Sequence, residues 1–85
     1  MKANVLIWKL DRTVELKYQY DTYPLVAITP DGQYRIIKIV GGYSAKFILT
    51  GHSVAIGRRV GDSSTLREAR RACEEDFLRL SSVNP

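Results

Sequence analysis

A single amphipathic helix closes this chain, and no second helix is available for it to pack against. Thr65-Leu66-Arg67-Glu68 has the form of a capping box, in which a Thr hydroxyl takes one free amide and a Glu reaches back to the cap. Leu66, Ala69, Ala72/Cys73, Phe77 and Leu80 then recur at three- and four-residue spacing, which predicts one apolar stripe over residues 65–80. Ser81-Ser82-Val83-Asn84-Pro85 reads as a polar tail. A lone helix with one apolar stripe buries it against a sheet, and 85 residues make one domain (1–85) with no room for a second. The fold class expected is therefore α+β: an antiparallel sheet of about five strands with the C-terminal helix packed on one face.

The strand-rich part runs over residues 4–60. Residues 4–10 form a short apolar candidate, and Asp11-Arg12 a tight connection after it. Val14, Leu16, Tyr18 and Tyr20 alternate with Thr13, Glu15, Lys17 and Gln19, the period of a half-buried strand. Residues 24–29 read as an edge strand, because Pro24 has no amide to give to a ladder. Thr29-Pro30-Asp31-Gly32 carries Pro second and Gly fourth, a type I turn preference. Three further strands are expected at residues 33–40, 43–49 and 53–59, joined by two-residue loops at Gly41-Gly42 and Thr50-Gly51. Partners across the first hairpin would then sum to 83 and across the second to 101. That register puts Tyr34, Ile36, Val40, Tyr43, Ala45, Phe47, Leu49, Val54 and Ile56 on one face, with Lys38, His52 and Arg58 at its rim. Arg35, Ile37, Ile39, Ser44, Lys46, Ile48 and Arg59 fall on the other.

Chemistry-bearing motifs are sparse. His52 is the only histidine and Cys73 the only cysteine. A metal site needs several ligands, so no metal and no other cofactor is expected. Cys73 lies on the helix stripe, where a thiol behaves as a small hydrophobe. Glu74-Glu75-Asp76 reads as a solvated face, with Arg70–Glu74, Arg71–Glu75 and Glu75–Arg79 as four-spaced ion pairs. The glycines mark hairpins rather than strand-to-helix turns, which leaves no phosphate-cradling loop. Nothing here assembles a catalytic constellation, so a non-enzyme is expected. No unbroken apolar run exceeds the four residues of Val5-Leu6-Ile7-Trp8, too few for a membrane span or a secretory signal core. With one cysteine and no intramolecular disulfide, a soluble, cytoplasmic protein without a membrane partner is the expectation.

Charge is the informative quantity. The chain carries 13 Lys and Arg against 9 Asp and Glu, a net +4. Residues 1–32 balance at zero and residues 61–85 at −1, whereas residues 33–60 hold Arg35, Lys38, Lys46, Arg58 and Arg59 with no acid at all. These five are the candidate contact residues for nucleic acid or another partner. A basic outer sheet face can lie against a phosphate backbone or enter a groove. The plainer alternative is that strands carry Lys and Arg to discourage edge pairing. Ile37, Ile39 and Ile48 on the same face suggest a contact surface, or cover by the N-terminal strands. Trp8, Tyr18, Tyr20 and Tyr23 suit either core packing or stacking. An exposed edge near Pro24 or Arg59 is open to a homodimer.

Gly42-Tyr43-Ser44-Ala45, then Ile56-Gly57, then Ser64-Thr65-Leu66-Arg67-Glu68-Ala69-Arg70-Arg71-Ala72 resembles the ethylene-response-factor and integrase-type DNA-binding domain over about residues 33–80. The resemblance implies three antiparallel strands on one helix, the outer sheet face in the major groove, and Arg35, Lys46 and Arg59 as contacts. The hairpin Trp of that pattern is absent, and Arg58-Arg59-Val60 stands where an aromatic usually follows the Gly. In size and layout the chain is also similar to small phage and prophage proteins such as anti-CRISPR inhibitors. Two functions are thus expected: a non-catalytic module binding nucleic acid or a nucleoprotein, or a phage-encoded inhibitor docking stoichiometrically on a host protein complex.

Overall fold

The structure, a computed structural model, describes residues 6–17, 22–53 and 56–83, with side chains of the helix described as far as residue 80. Five antiparallel strands lie in sequence order: β1 (Lys9–Leu10), β2 (Leu25–Ile28), β3 (Gly32–Ile39), β4 (Gly42–Leu49) and β5 (Arg58–Ser63). Helix α1 (Leu66–Val83) packs across β5, β4 and β3, giving the α+β architecture. Its N-terminus is capped as the sequence predicts: the Glu68 amide donates to Thr65 Oγ1 at 3.2 Å. The Glu68 carboxylate accepts from the Ser64 hydroxyl at 2.9 Å, which holds its carboxyl below the usual range. Among the described residues no helix is long and apolar enough to cross a membrane.

The expected Thr29-Pro30-Asp31-Gly32 turn closes the β2–β3 hairpin, with the Thr29 amide donating to the Gly32 carbonyl at 2.8 Å. The next hairpin turns one residue earlier than expected. Ile39 pairs with Gly42, so the loop is Val40-Gly41, and partners sum to 81 rather than 83. A difference of two leaves every side chain on its expected face. The physical reason is a division of labour between the two glycines. Gly41 supplies the positive φ of 83° at the third turn position, while Gly42 must lie flat against β5. A Cβ on Gly42 would stand 2.1 Å from the Ser63 carbonyl oxygen.

The last strand departs further. Thr50-Gly51 does turn, with the His52 amide donating to the Leu49 carbonyl at 3.0 Å, but pairing resumes only at Arg58. Lys46 pairs with Arg59 and Ala45 with Gly61, so Val60 bulges out of the register. The bulge admits Gly61-Asp62-Ser63 to the sheet, residues whose composition reads as loop. His52 and Ile56, expected on the apolar face, lie exposed in the connection instead, and Val54 and Ala55 lie outside the described residues.

The N-terminal reading is corrected as well. Only Lys9–Leu10 of the expected strand at 4–10 pairs within the described residues, and no strand forms over residues 13–17. Asp11 explains the break: its Oδ1 accepts both the Thr13 amide, at 3.1 Å, and the Thr13 hydroxyl. That side-chain turn diverts the backbone from a ladder. Tyr18 and Tyr20 lie outside the described residues. The core gathers between sheet and helix: Leu6, Ala27, Tyr34, Ile36, Ala45, Phe47, Ala69 and Cys73, with Trp8, Tyr43, Val60 and Phe77 packed around it.

Candidate functional site

Strand pairing sets Lys9, Val26, Arg35, Lys46 and Arg59 as successive partners across all five strands. Partners in a ladder send their side chains to the same side, so four cations form one row of roughly 19 Å on the face away from α1. Arg35, Lys46 and Arg59 were expected there together; Lys9 was not, because its strand had no predicted register. The adjacent row holds Ile37, Ser44 and Asp62 as partners, and Asp11 takes the far end, its amide donating to the Pro24 carbonyl at 2.9 Å.

The two acids are not idle. Asp11 Oδ2 accepts from the Arg35 guanidinium at 3.0 Å, and Asp62 Oδ2 from the Arg59 guanidinium at 2.6 Å. The Arg35 side chain is only 12% exposed. The hydroxyl of Thr13, its amide and then Arg35 hold the Asp11 carboxyl below the usual carboxylate range. An excess of charge that looks undiluted over residues 33–60 is therefore partly answered by acids from either side of that segment.

Apolar surface adjoins the row. Ile37 is 43% exposed, and Val40, expected on the apolar face, is fully exposed because the earlier turn takes it out of β3; Leu49, expected on that face too, ends β4 half exposed. With Val14, Leu16, Pro24 and Ile39, and with Glu15 and Lys38 at its polar edge, Ile37 and Val40 line an open depression of about 610 Å³. Ile48, for which the sequence leaves open exposure or cover by the N-terminal strands, is buried. A Cβ built on Gly57 would come within 2.8 Å of Ile48 Cγ1 and 3.1 Å of Lys46 Cδ, so the chain entering β5 roofs that end of the face.

Lys38 and Arg58, the other two candidates, pair with Tyr43 and Phe47 on the helix side of the sheet, the face at whose rim the register puts them. Lys38 Nζ sits 5.1 Å from the Tyr43 ring centroid. Arg58 lies over Phe47 at 5.6 Å and grips Asp76 with both terminal nitrogens, at 3.1 and 2.7 Å. Asp76 Oδ2 also accepts from the Tyr34 hydroxyl at 2.5 Å, and Oδ1 from Arg79 at 2.7 Å.

This network departs from the expectation of a solvated Glu74-Glu75-Asp76 face. Asp76 is 4% exposed, not part of a solvated acidic face. Of the expected four-spaced pairs, Arg71–Glu75 forms at 3.2 Å, while Arg79 turns to Asp76. The signal was present: Asp76 stands three residues after Cys73 and seven after Ala69, on the apolar stripe itself, facing a sheet rim that offers Arg58. Burial works against the charge on Asp76, but bonds from Arg58 and Tyr34 hold its carboxyl below the usual range. Burial and the neighbouring carboxylate push the Tyr34 phenol far up. Four donors on one carboxylate make a clamp between β3, β5 and α1, with no lone pair left for chemistry.

No three His, Cys, Asp or Glu among the described residues gather to hold a metal ion. His52 is exposed, and burial pushes the Cys73 thiol up to about 12, unreactive at neutral pH. No protein-family profile, curated protein or solved structure matches this chain.

Proposed function

We propose that the chain is a non-catalytic, cytoplasmic binding module that docks its outer sheet face on a protein partner, in the manner of a small stoichiometric inhibitor of a larger complex. The observation that carries this reading is the composition of that face: cations held by their own acids beside exposed isoleucine and valine. Arg35, withdrawn from solvent onto Asp11, and Arg59, exposed but paired with Asp62, make a mixed patch beside apolar ground, which suits the polar rim and apolar centre of a protein interface. The partner surface it fits carries carboxylates opposite the cationic row and an apolar anchor opposite Ile37. A nucleoprotein whose protein part bears those groups satisfies the same requirement.

One observation favours direct nucleic-acid contact as a second reading, namely that four cations share a single cross-strand row. The sheet-and-helix resemblance to the integrase-type domain supports it through Arg35, Lys46 and Arg59. Polarisation titrations with duplex DNA, single-stranded DNA and RNA, at low and at physiological salt, separate the two. The protein-contact reading predicts weak binding to all three. Tight binding that falls steeply with salt, with Lys46→Glu flattening the slope by about one unit, establishes the second reading and sinks the first.

A further inference from the structure

Helix α1 covers only part of the sheet. Eighteen residues make a rod about 27 Å long and about 10 Å wide, whereas five strands spread across roughly 19 Å. The helix lies over β5, β4 and β3 and leaves the β1–β2 side of the same face to other residues. Beyond its first residue, Leu66, the uncovered surface forms a cavity of about 180 Å³. Leu10, Leu25 and Ile36 line it from adjacent strands, and Tyr23, Tyr43, Thr22 and Lys38 complete it.

Two features give this cavity a ligand chemistry. First, its aromatic members are each attended by a cation: Lys38 Nζ over Tyr43 at 5.1 Å, and the Arg12 guanidinium over Tyr23 at 5.4 Å. Second, no carboxylate lines it among the described residues, in contrast to the outer face, where each paired arginine meets an acid. A greasy floor, two phenol rings and one lysine at the edge select a flat apolar body ending in a negative charge. At 180 Å³ the space is below the usual range for drug-sized ligands and takes about one ring.

We propose that this cavity is a binding site for a small aromatic carboxylate, with the ring between the tyrosines on Leu25 and Ile36 and the carboxylate on Lys38. The floor of the site lies on the helix side, while Thr22 and Lys38 at its edge also border the depression of the outer face; the proposal does not depend on the docking role of that face. Benzoate is the probe, followed by methyl and amide NMR of the whole chain. Saturable shifts are expected at Leu10, Leu25, Ile36 and Tyr43, with Ile37 and Lys46 unmoved. Benzyl alcohol, which keeps the ring and loses the charge, should bind about tenfold more weakly. Lys38→Met should bring benzoate down to the same level without disturbing the remaining spectrum. Lys38→Gln serves as a second variant with a polar end. No saturable shift, equal affinity for the acid and the alcohol, undiminished affinity in both Lys38 variants, or shifts confined to the outer face would each overturn the proposal.

Discussion

Asp76 shows how much one side chain can organise in a domain this small. It is a carboxylate on an apolar stripe, and it stays charged because Arg58, Tyr34 and Arg79 together offset its desolvation. Asp76→Ala leaves the Tyr34 hydroxyl buried without an acceptor. Its cost should be about 2–3 kcal/mol, below the loss for a fully buried pair because Arg58 and Arg79 can rehydrate. A double-mutant cycle with Arg58→Ala, read by urea denaturation, should return a coupling of about 1 kcal/mol or more; simple additivity would show that the clamp holds nothing. The pH profile follows from the same groups. Asp76, Asp11 and Glu68 have carboxyls lowered by folding, so their stabilisation is present above the ordinary carboxylate range and is lost as pH falls below about 4. Tyr34 and Cys73 are raised by folding, so theirs is present up to about pH 9 and is lost as pH climbs beyond it. Melting temperature should form a plateau between about pH 5 and 9 with a fall on either side. Asp76→Asn should flatten the acid limb, and an unchanged limb would relocate the effect to Asp11 and Glu68.

At the level of elements, what could be read from the sequence tracks how local the determinant is. The helix and its cap are set by contacts within a few residues, and Thr65 and Glu68 announce them. The β2–β3 turn is equally local. The β3–β4 hairpin was found one residue out of place, harmlessly, because tandem glycines mark a turn without saying which one needs the positive φ and which the close approach. Gly42→Ala should therefore unfold the chain more than Gly41→Ala does. The first forces a Cβ onto the Ser63 carbonyl, at 2.1 Å, whereas the second incurs a left-handed backbone penalty of about 1–2 kcal/mol with open space around it. Chemical denaturation of the two variants checks the order, and the reverse order would mean the hairpin is misplaced. β5 was legible only in part. Arg58, Arg59 and Val60 do belong to it, but its pairing depends on a bulge and on Asp76 holding Arg58 from another element. No local pattern in Gly61-Asp62-Ser63 reports either. The supposed strand at 13–17 failed for the opposite reason: alternation was visible, but the Asp11 side chain competes for the backbone first.

The whole molecule has two unlike sides. One is covered over β3–β5 by a helix, a saturated carboxylate clamp and an inert cysteine, with the small cavity left beyond Leu66; the other presents a cationic row, its paired acids and a depression at one end. The charge asymmetry was evident in the sequence, and three of the five candidate residues do gather in one row. Its neutralisation was not evident, because Asp11 and Asp62 lie outside the basic segment and reach the row only through the register. Lys9 and Lys46 should tolerate reversal to Glu with a change in melting temperature of only a few degrees, since neither is a core residue. The most direct test of the docking face is affinity capture from an extract of the source cells after nuclease treatment. The wild-type chain is compared with a Lys46→Glu/Ile37→Asp variant whose folding has been verified by circular dichroism. The wild-type chain should retain a discrete protein partner in fixed stoichiometry, and the variant should lose it. Retention of the same partner by the variant, or a captured species that disappears with the nuclease, would contradict the assignment of that face to protein contact.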